Sequence, residues 1–98
     1  MMITLGTFTK TETGFQGSII RRDFAGSIDI VPAGGGTSLA DTYRVFADGA
    51  PVGSAWQARD ARGRDYLLVR LAGIGEAGPI TCRLVPDRGG FHALVGPA

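Results

Sequence analysis

Tyr43-Arg44-Val45-Phe46-Ala47-Asp48-Gly49 opens a segment, running on to Leu71, that reads as three consecutive strands joined by two tight connections. Its aromatic and β-branched residues suit a pleated sheet. Asp48-Gly49 supplies the positive φ values that a short hairpin turn needs. Val52 to Arg59 follows, carrying the chain's only tryptophan, Trp56. Asp60-Ala61-Arg62-Gly63-Arg64-Asp65 then turns the chain into Tyr66-Leu67-Leu68-Val69-Arg70-Leu71. The segment is a β-meander onto which the remaining strands are laid.

Upstream, Ile3 to Thr9 is a threonine-rich first strand, and Lys10-Thr11-Glu12-Thr13-Gly14 is its turn. Phe15 to Arg21 is the second strand, with Phe15, Gly17 and Ile19 on one face. Arg22 to Gly26 connects it to Ser27-Ile28-Asp29-Ile30-Val31, which alternates as a half-buried strand does. Pro32 ends that strand because proline cannot donate to a ladder. Ala33 to Thr42 is the longest connection, with room for one helical turn at Thr37 to Asp41. Downstream, Ala72 to Pro79 is a loop, Ile80 to Val85 alternates with Ile80, Cys82 and Leu84 inward, and Asp87-Arg88-Gly89-Gly90 turns into a last strand, Phe91 to Val95. The predicted fold is all-β: one domain over residues 1–98, a small antiparallel barrel or sandwich of about seven to eight short strands with little helix.

Composition agrees with one modest core. The chain has 98 residues, is 44% hydrophobic and carries 16 glycines spaced so that no long window of good helix formers survives. A net charge of +1 gives no global pull toward nucleic acid or membrane. Of the ten lysines and arginines only Lys10 is lysine, so the surface is supplied with planar, bidentate donors. The N-terminus lacks a basic region followed by an apolar run, and no stretch is long and apolar enough for a membrane span. A soluble, cytoplasmic protein is expected.

Most chemical motifs fail on context. Gly73-Ile74-Gly75-Glu76-Ala77-Gly78 matches G-x-G-x-x-G, but Pro79 and an alternating strand follow where a dinucleotide site needs a helix. Gly34-Gly35-Gly36-Thr37-Ser38 lacks the lysine of a phosphate-binding loop. The single cysteine excludes an internal disulfide and a multi-cysteine zinc site. Cys82 and His92 lie on neighbouring strands, yet Cys82 sits on the inner face as a small hydrophobe, and His92, facing away from Phe91 and Ala93, is expected toward solvent. The carboxylates are scattered, several in turns. No catalysis, cofactor or metal is expected.

Alternation leaves one functional candidate. Leu67, Val69 and Leu71 turn inward, as do Tyr43, Val45 and Ala47, and on the intervening strand Val52, Ser54 and Trp56. A mixed aromatic and arginine face then remains outside, made of Arg44, Phe46, Arg59, Tyr66, Arg70 and Arg83. Such a face suits a protein–protein contact, with rings as anchors and guanidinium groups as bidentate donors. It suits single-stranded nucleic acid as well, through base stacking along an arginine-lined groove. An open sheet edge would also allow two copies to pair.

Several of these segments together resemble the family called domain of unknown function 736. They are Gly6-Thr7-Phe8-Thr9-Lys10, Gly14-Phe15 with Gly17, Tyr43-Arg44-Val45-Phe46, Gly53-Ser54-Ala55-Trp56, and Gly63-Arg64-Asp65-Tyr66-Leu67. The resemblance implies no reaction. It implies a context, alphaproteobacteria with their plasmids and integrative elements. From that context follows the expectation of a non-enzymatic interaction protein of a mobile genetic element. Its expected role is an anti-CRISPR-like inhibitor of host defence that docks on a protein or nucleoprotein complex and blocks its DNA engagement. The alternative is a single-stranded nucleic acid binding accessory of conjugative transfer.

Overall fold

Asp48 and Gly49 both take positive φ, 50° and 85°, which is the backbone of a two-residue hairpin whose twist matches its flanking strands. The computed structural model describes residues 2–21, 24–33, 42–73 and 78–97. Antiparallel pairing of sequence neighbours recurs from strand to strand. The strands are β1 (Met2–Lys10), β2 (Phe15–Arg21), β3 (Phe24–Pro32), β4 (Thr42–Ala47), β5 (Ala50–Arg59), β6 (Asp65–Leu71), β7 (Ile80–Pro86) and β8 (Phe91–Pro97). Each pairs antiparallel with its sequence neighbour, and β8 returns to β1, closing an eight-stranded barrel. Among the described residues helix is confined to a 3-10 turn at Arg88–Gly90, and no helix is long and apolar enough to cross a membrane.

Of the two expected antiparallel forms, barrel or sandwich, the chain takes the barrel, with differences of detail. β3 begins at Phe24, earlier than the alternating run at Ser27, because Phe24 and Ala25 pair with Arg21 and Ile20 across a short connection. Closure pairs the described strands on both sides. The sheet edge expected to join two copies is thus occupied by the β1–β8 ladder. The helical turn expected at 37–41, the glycines at 34–36 and the centre of the G-x-G-x-x-G match, 74–77, lie outside the described residues. The segment after that match is strand β7, not a helix.

The interior is filled by one side-chain set. Phe8, Ile19, Ile28, Ile30, Val45, Val69, Leu71, Cys82, Leu84 and Leu94 are almost wholly enclosed, and no polar or charged residue among those described is buried. An eight-stranded barrel has an interior just wide enough to be packed solid by such residues. Phe8 is the largest of them, and it fits because its register partner is Gly17, where a Cβ would stand 2.7 Å from the Phe8 Cγ. Burying these side chains supplies the stability, at roughly 25 cal/mol per Å² of apolar surface removed from water.

Two irregularities bend the sheet toward closure. The register slips at Leu5 in β1 and at Val52 in β5, each a bulge with one extra residue, and bulges raise the local twist. The second one decides which way β5 faces. Val45 pairs with Gly53 and Phe46 with Pro51, leaving Val52 unmatched. Val52 is buried, and so is Ala55, while Ser54 and Trp56 are exposed. Strict alternation from Val52 placed Ser54 and Trp56 inside; the extra residue reverses every side chain after it.

The β5–β6 connection closes on itself. Asp60 Oδ1 accepts hydrogen bonds from the backbone N–H of Arg62 at 2.8 Å and of Arg64 at 3.0 Å. The Gly63 N–H donates to the Asp60 carbonyl at 3.0 Å, with Gly63 at φ 78°. The hydrogen bonds from the Arg64 and Arg62 backbones, Arg64 first, hold the Asp60 carboxyl below its ordinary range.

Candidate functional site

Outward-facing residues of β3 to β8 fall into rows set by the ladder. One row runs Val31, Arg44, Ser54, Arg70, Thr81. The next runs Trp56, Leu68, Arg83, Val95. Tyr66 stands beyond, opposite Ala58. Neighbours within a row are spaced at about 4.8 Å per strand, so Trp56, Leu68 and Arg83 form a contiguous band. The Arg83 guanidinium carbon lies 5.1 Å from the Tyr66 ring centroid, a cation–π contact that fixes both side chains, at about 0.5–1 kcal/mol on an exposed surface. Neither row contains a carboxylate.

The six residues expected to make the contact are therefore only partly brought together. Arg44, Arg70, Tyr66 and Arg83 share this face, with the three arginines exposed and Tyr66 half-buried. Phe46 is outward but half-buried. It stands opposite Asp29 and Pro51, ~20 Å along the strands from Tyr66. Arg59 is not on the face at all. It has the inward parity of Ala55 and Gln57, and at the strand end its Nε donates to Asp65 Oδ1 at 3.0 Å. Both partners are exposed, so this pair contributes little to stability.

One residue of the face escapes simple alternation, and a second, outward by alternation, gains its partner from it. Trp56, 37% exposed, joins it through the bulge, and Leu68 becomes part of a hydrophobic pair only because Trp56 is its cross-strand partner. The available signal is Pro51-Val52-Gly53, a proline and a glycine flanking one apolar residue, which favours a bulge.

One mouth of the barrel forms a second feature. It lies where β1, β3, β5 and β7 end and β2, β4, β6 and β8 begin. The cavity there has a volume of about 420 Å³. The Phe15 ring meets the His92 ring edge-on at 4.9 Å and the Tyr43 ring at 6.3 Å, inclined by 59°. His92 thus points into the mouth, not to solvent as expected. β8 turns His92, Leu94 and Gly96 inward and leaves Phe91 45% exposed. Burial, with Lys10 nearby, holds the His92 imidazole below its ordinary pKa.

The Cys82–His92 pairing does not form. Pro86 is the ladder partner of His92, four positions from Cys82 and ~13 Å along the strand. Cys82 itself is fully enclosed, and burial pushes its thiol up to about 11, where the reactive thiolate is scarce.

A family model described as "Protein of unknown function (DUF736)" matches residues 4–96. No curated protein and no solved structure matches the chain. With nearly its whole length matched, from β1 through β8, the chain belongs to the DUF736 family of proteins of unknown function.

Proposed function

We propose that this protein is a non-enzymatic interaction protein that docks through the outer face of β5, β6 and β7 onto a protein or nucleoprotein complex. One observation carries this reading. Trp56 and Leu68, with Tyr66 beyond them, form an apolar band flanked by Arg44, Arg70 and Arg83; the two rows that hold Trp56, Leu68 and the arginines contain no carboxylate, and Asp60 and Asp65 lie at the Tyr66 end. Exposed tryptophan, tyrosine and arginine are the side chains that most often dominate protein interfaces. The face therefore suits an acidic partner surface with an apolar recess, the guanidinium groups meeting carboxylates or phosphates in pairs. An inhibitor of host defence, carried by a mobile genetic element and blocking DNA engagement by the complex it binds, is the role that fits this chemistry and the earlier resemblance.

The test is co-purification from the native host with four baits: the native chain, Trp56→Ala, Arg83→Glu and Ser18→Glu. Ser18 is exposed on β2, four strands round the barrel from β6. A partner held by the native chain and by Ser18→Glu, and lost from the other two, supports the reading. A partner held equally by all four refutes it.

The same rings and arginines support a second reading, single-stranded nucleic acid binding. Salt separates the two. Oligonucleotide affinity that falls steeply with salt, at a slope set by the phosphates neutralised, favours nucleic acid. Absence of binding at ~50 mM salt removes that reading.

A further inference from the structure

We propose that the barrel mouth is a binding site for a small, uncharged, planar heteroaromatic molecule of nucleobase size. This site is separate from the docking face and its residues differ in chemistry. The cavity of about 420 Å³ falls within the range of roughly 300–1,000 Å³ that small-molecule sites occupy, and barrel mouths are among their usual positions. Its floor is apolar, made by the buried Leu67 and Leu84. Above them the inward-facing positions change character, from the aliphatic residues of the core to Phe15, Tyr43, Gln57 and His92.

Those four residues define the ligand. The Phe15 ring is inclined at 59° to that of Tyr43 and at 68° to that of His92. They offer faces and edges to a flat molecule, the arrangement in which aromatic contacts are favourable. His92 Nδ1 is buried and has no hydrogen-bond partner among the described residues. A buried polar atom left unpaired costs about 1–3 kcal/mol, and such atoms are uncommon enough in native structures to require a reason. The Gln57 amide brings a donor and an acceptor to the same cavity. A ligand with polar atoms set into a flat ring pairs with the Gln57 amide, and with Nδ1 once the imidazole turns toward the cavity. An aliphatic chain would cover the same floor and leave Nδ1 unpaired.

Charge argues for a neutral molecule. The cavity is bordered by Lys10, Glu12 and Asp65, and Asp65 is already held by Arg59. The rim thus has no surplus of either sign with which to hold an ion.

The test is a titration of the full chain with adenosine and, separately, uridine, followed by two-dimensional NMR of the aromatic ring signals. Saturable shifts at Phe15, Tyr43 and His92 with either nucleoside, unaffected when free ribose is added, are the expected result. Gln57→Leu and His92→Phe should each weaken binding about tenfold, the value of one hydrogen bond of roughly 1–1.5 kcal/mol. Gln57 is exposed at the mouth, so its variant reports even if His92→Phe does not fold. Absence of saturable shifts with both nucleosides overturns the proposal. Shifts confined to Trp56 and Tyr66 overturn it as well and point to stacking on the docking face. Native affinity in both variants overturns the assigned roles.

Discussion

Exchanging the fates of two adjacent residues tests the bulge at Val52, on which the docking face depends. Ala55 is wholly enclosed, whereas Trp56 keeps 37% of its surface exposed. Ala55→Asp therefore drives a carboxyl group into an interior that has no buried polar residue to receive it among those described. An uncompensated buried charge of this kind costs roughly 3–5 kcal/mol, and the group protonates to reduce the cost. Set against a total stability on the order of 5–15 kcal/mol, that loss takes a large share of the whole and leaves the variant far less stable than the native chain. Trp56→Asp loses only the half-covered ring and its pairing with Leu68. That amounts to about 2–3 kcal/mol, since full burial of a large apolar side chain is worth roughly 3 kcal/mol and an exposed cross-strand pair under 1. Urea denaturation followed by circular dichroism measures both. With a slope of roughly 1–3 kcal/mol/M, Trp56→Asp should shift the midpoint by about 1 M. Ala55→Asp should shift it by about 2 M or more. The reverse order, with Ala55→Asp melting like the native protein and Trp56→Asp unfolded, would refute the bulge and the face built on it.

Three further outcomes are expected. Burial raises the Cys82 thiol from 9.0 to about 11, so its contribution is complete below pH 9 and is lost as pH rises toward 11. The gap corresponds to about 3 kcal/mol, and urea midpoints from pH 8 to pH 11 should fall more steeply for the native chain than for Cys82→Ala. The His92 imidazole is held below its ordinary 6.5, so the fold binds fewer protons there than the unfolded chain. Stability from this group is full above that pH and declines as pH falls through and below it, a decline that thermal melts of His92→Phe should lack. Gly53→Ala places a Cβ against the Arg70 carbonyl oxygen, whereas at Gly49 (φ +85°) a Cβ meets nothing. Gly53→Ala should thus cost ~3 kcal/mol or more, through overpacking and a broken ladder bond. Gly49→Ala should cost ~1–2 kcal/mol from left-handed backbone strain alone, and paired urea melts decide the order.

The legible parts of this fold are those with local causes. Asp48-Gly49 announces its turn because both residues tolerate positive φ, and Leu67, Val69 and Leu71 announce an inner face because alternation is unbroken in β6. Cys82 is readable as core for the same reason. β5 is not, since Val52 and Trp56 on one parity and Ala55 on the other are each acceptable insides, and only the pairing with β4 reveals the extra residue. His92 is misread from a similar ambiguity. Ala93 and Leu94 are both buried, so the larger Phe91 falsely marks the inner parity. Closure itself depends on β1 meeting β8, a contact between the ends of the sequence that no local pattern encodes. Arg59 shows the remaining gap: its type fits the face, but its place at a strand end delivers it to Asp65.

Trp56 is the only tryptophan and stands in the middle of the proposed docking band, so a chain labelled with 7-azatryptophan, excited beyond the band of a partner's tryptophans, reports on that face alone. Acrylamide quenching of the free protein, compared with the complex co-purified from the native host, is the most direct measurement. Efficient quenching in the free protein and strong protection in the complex is the predicted result. Equal quenching in both would place the partner elsewhere on the barrel and contradict the account.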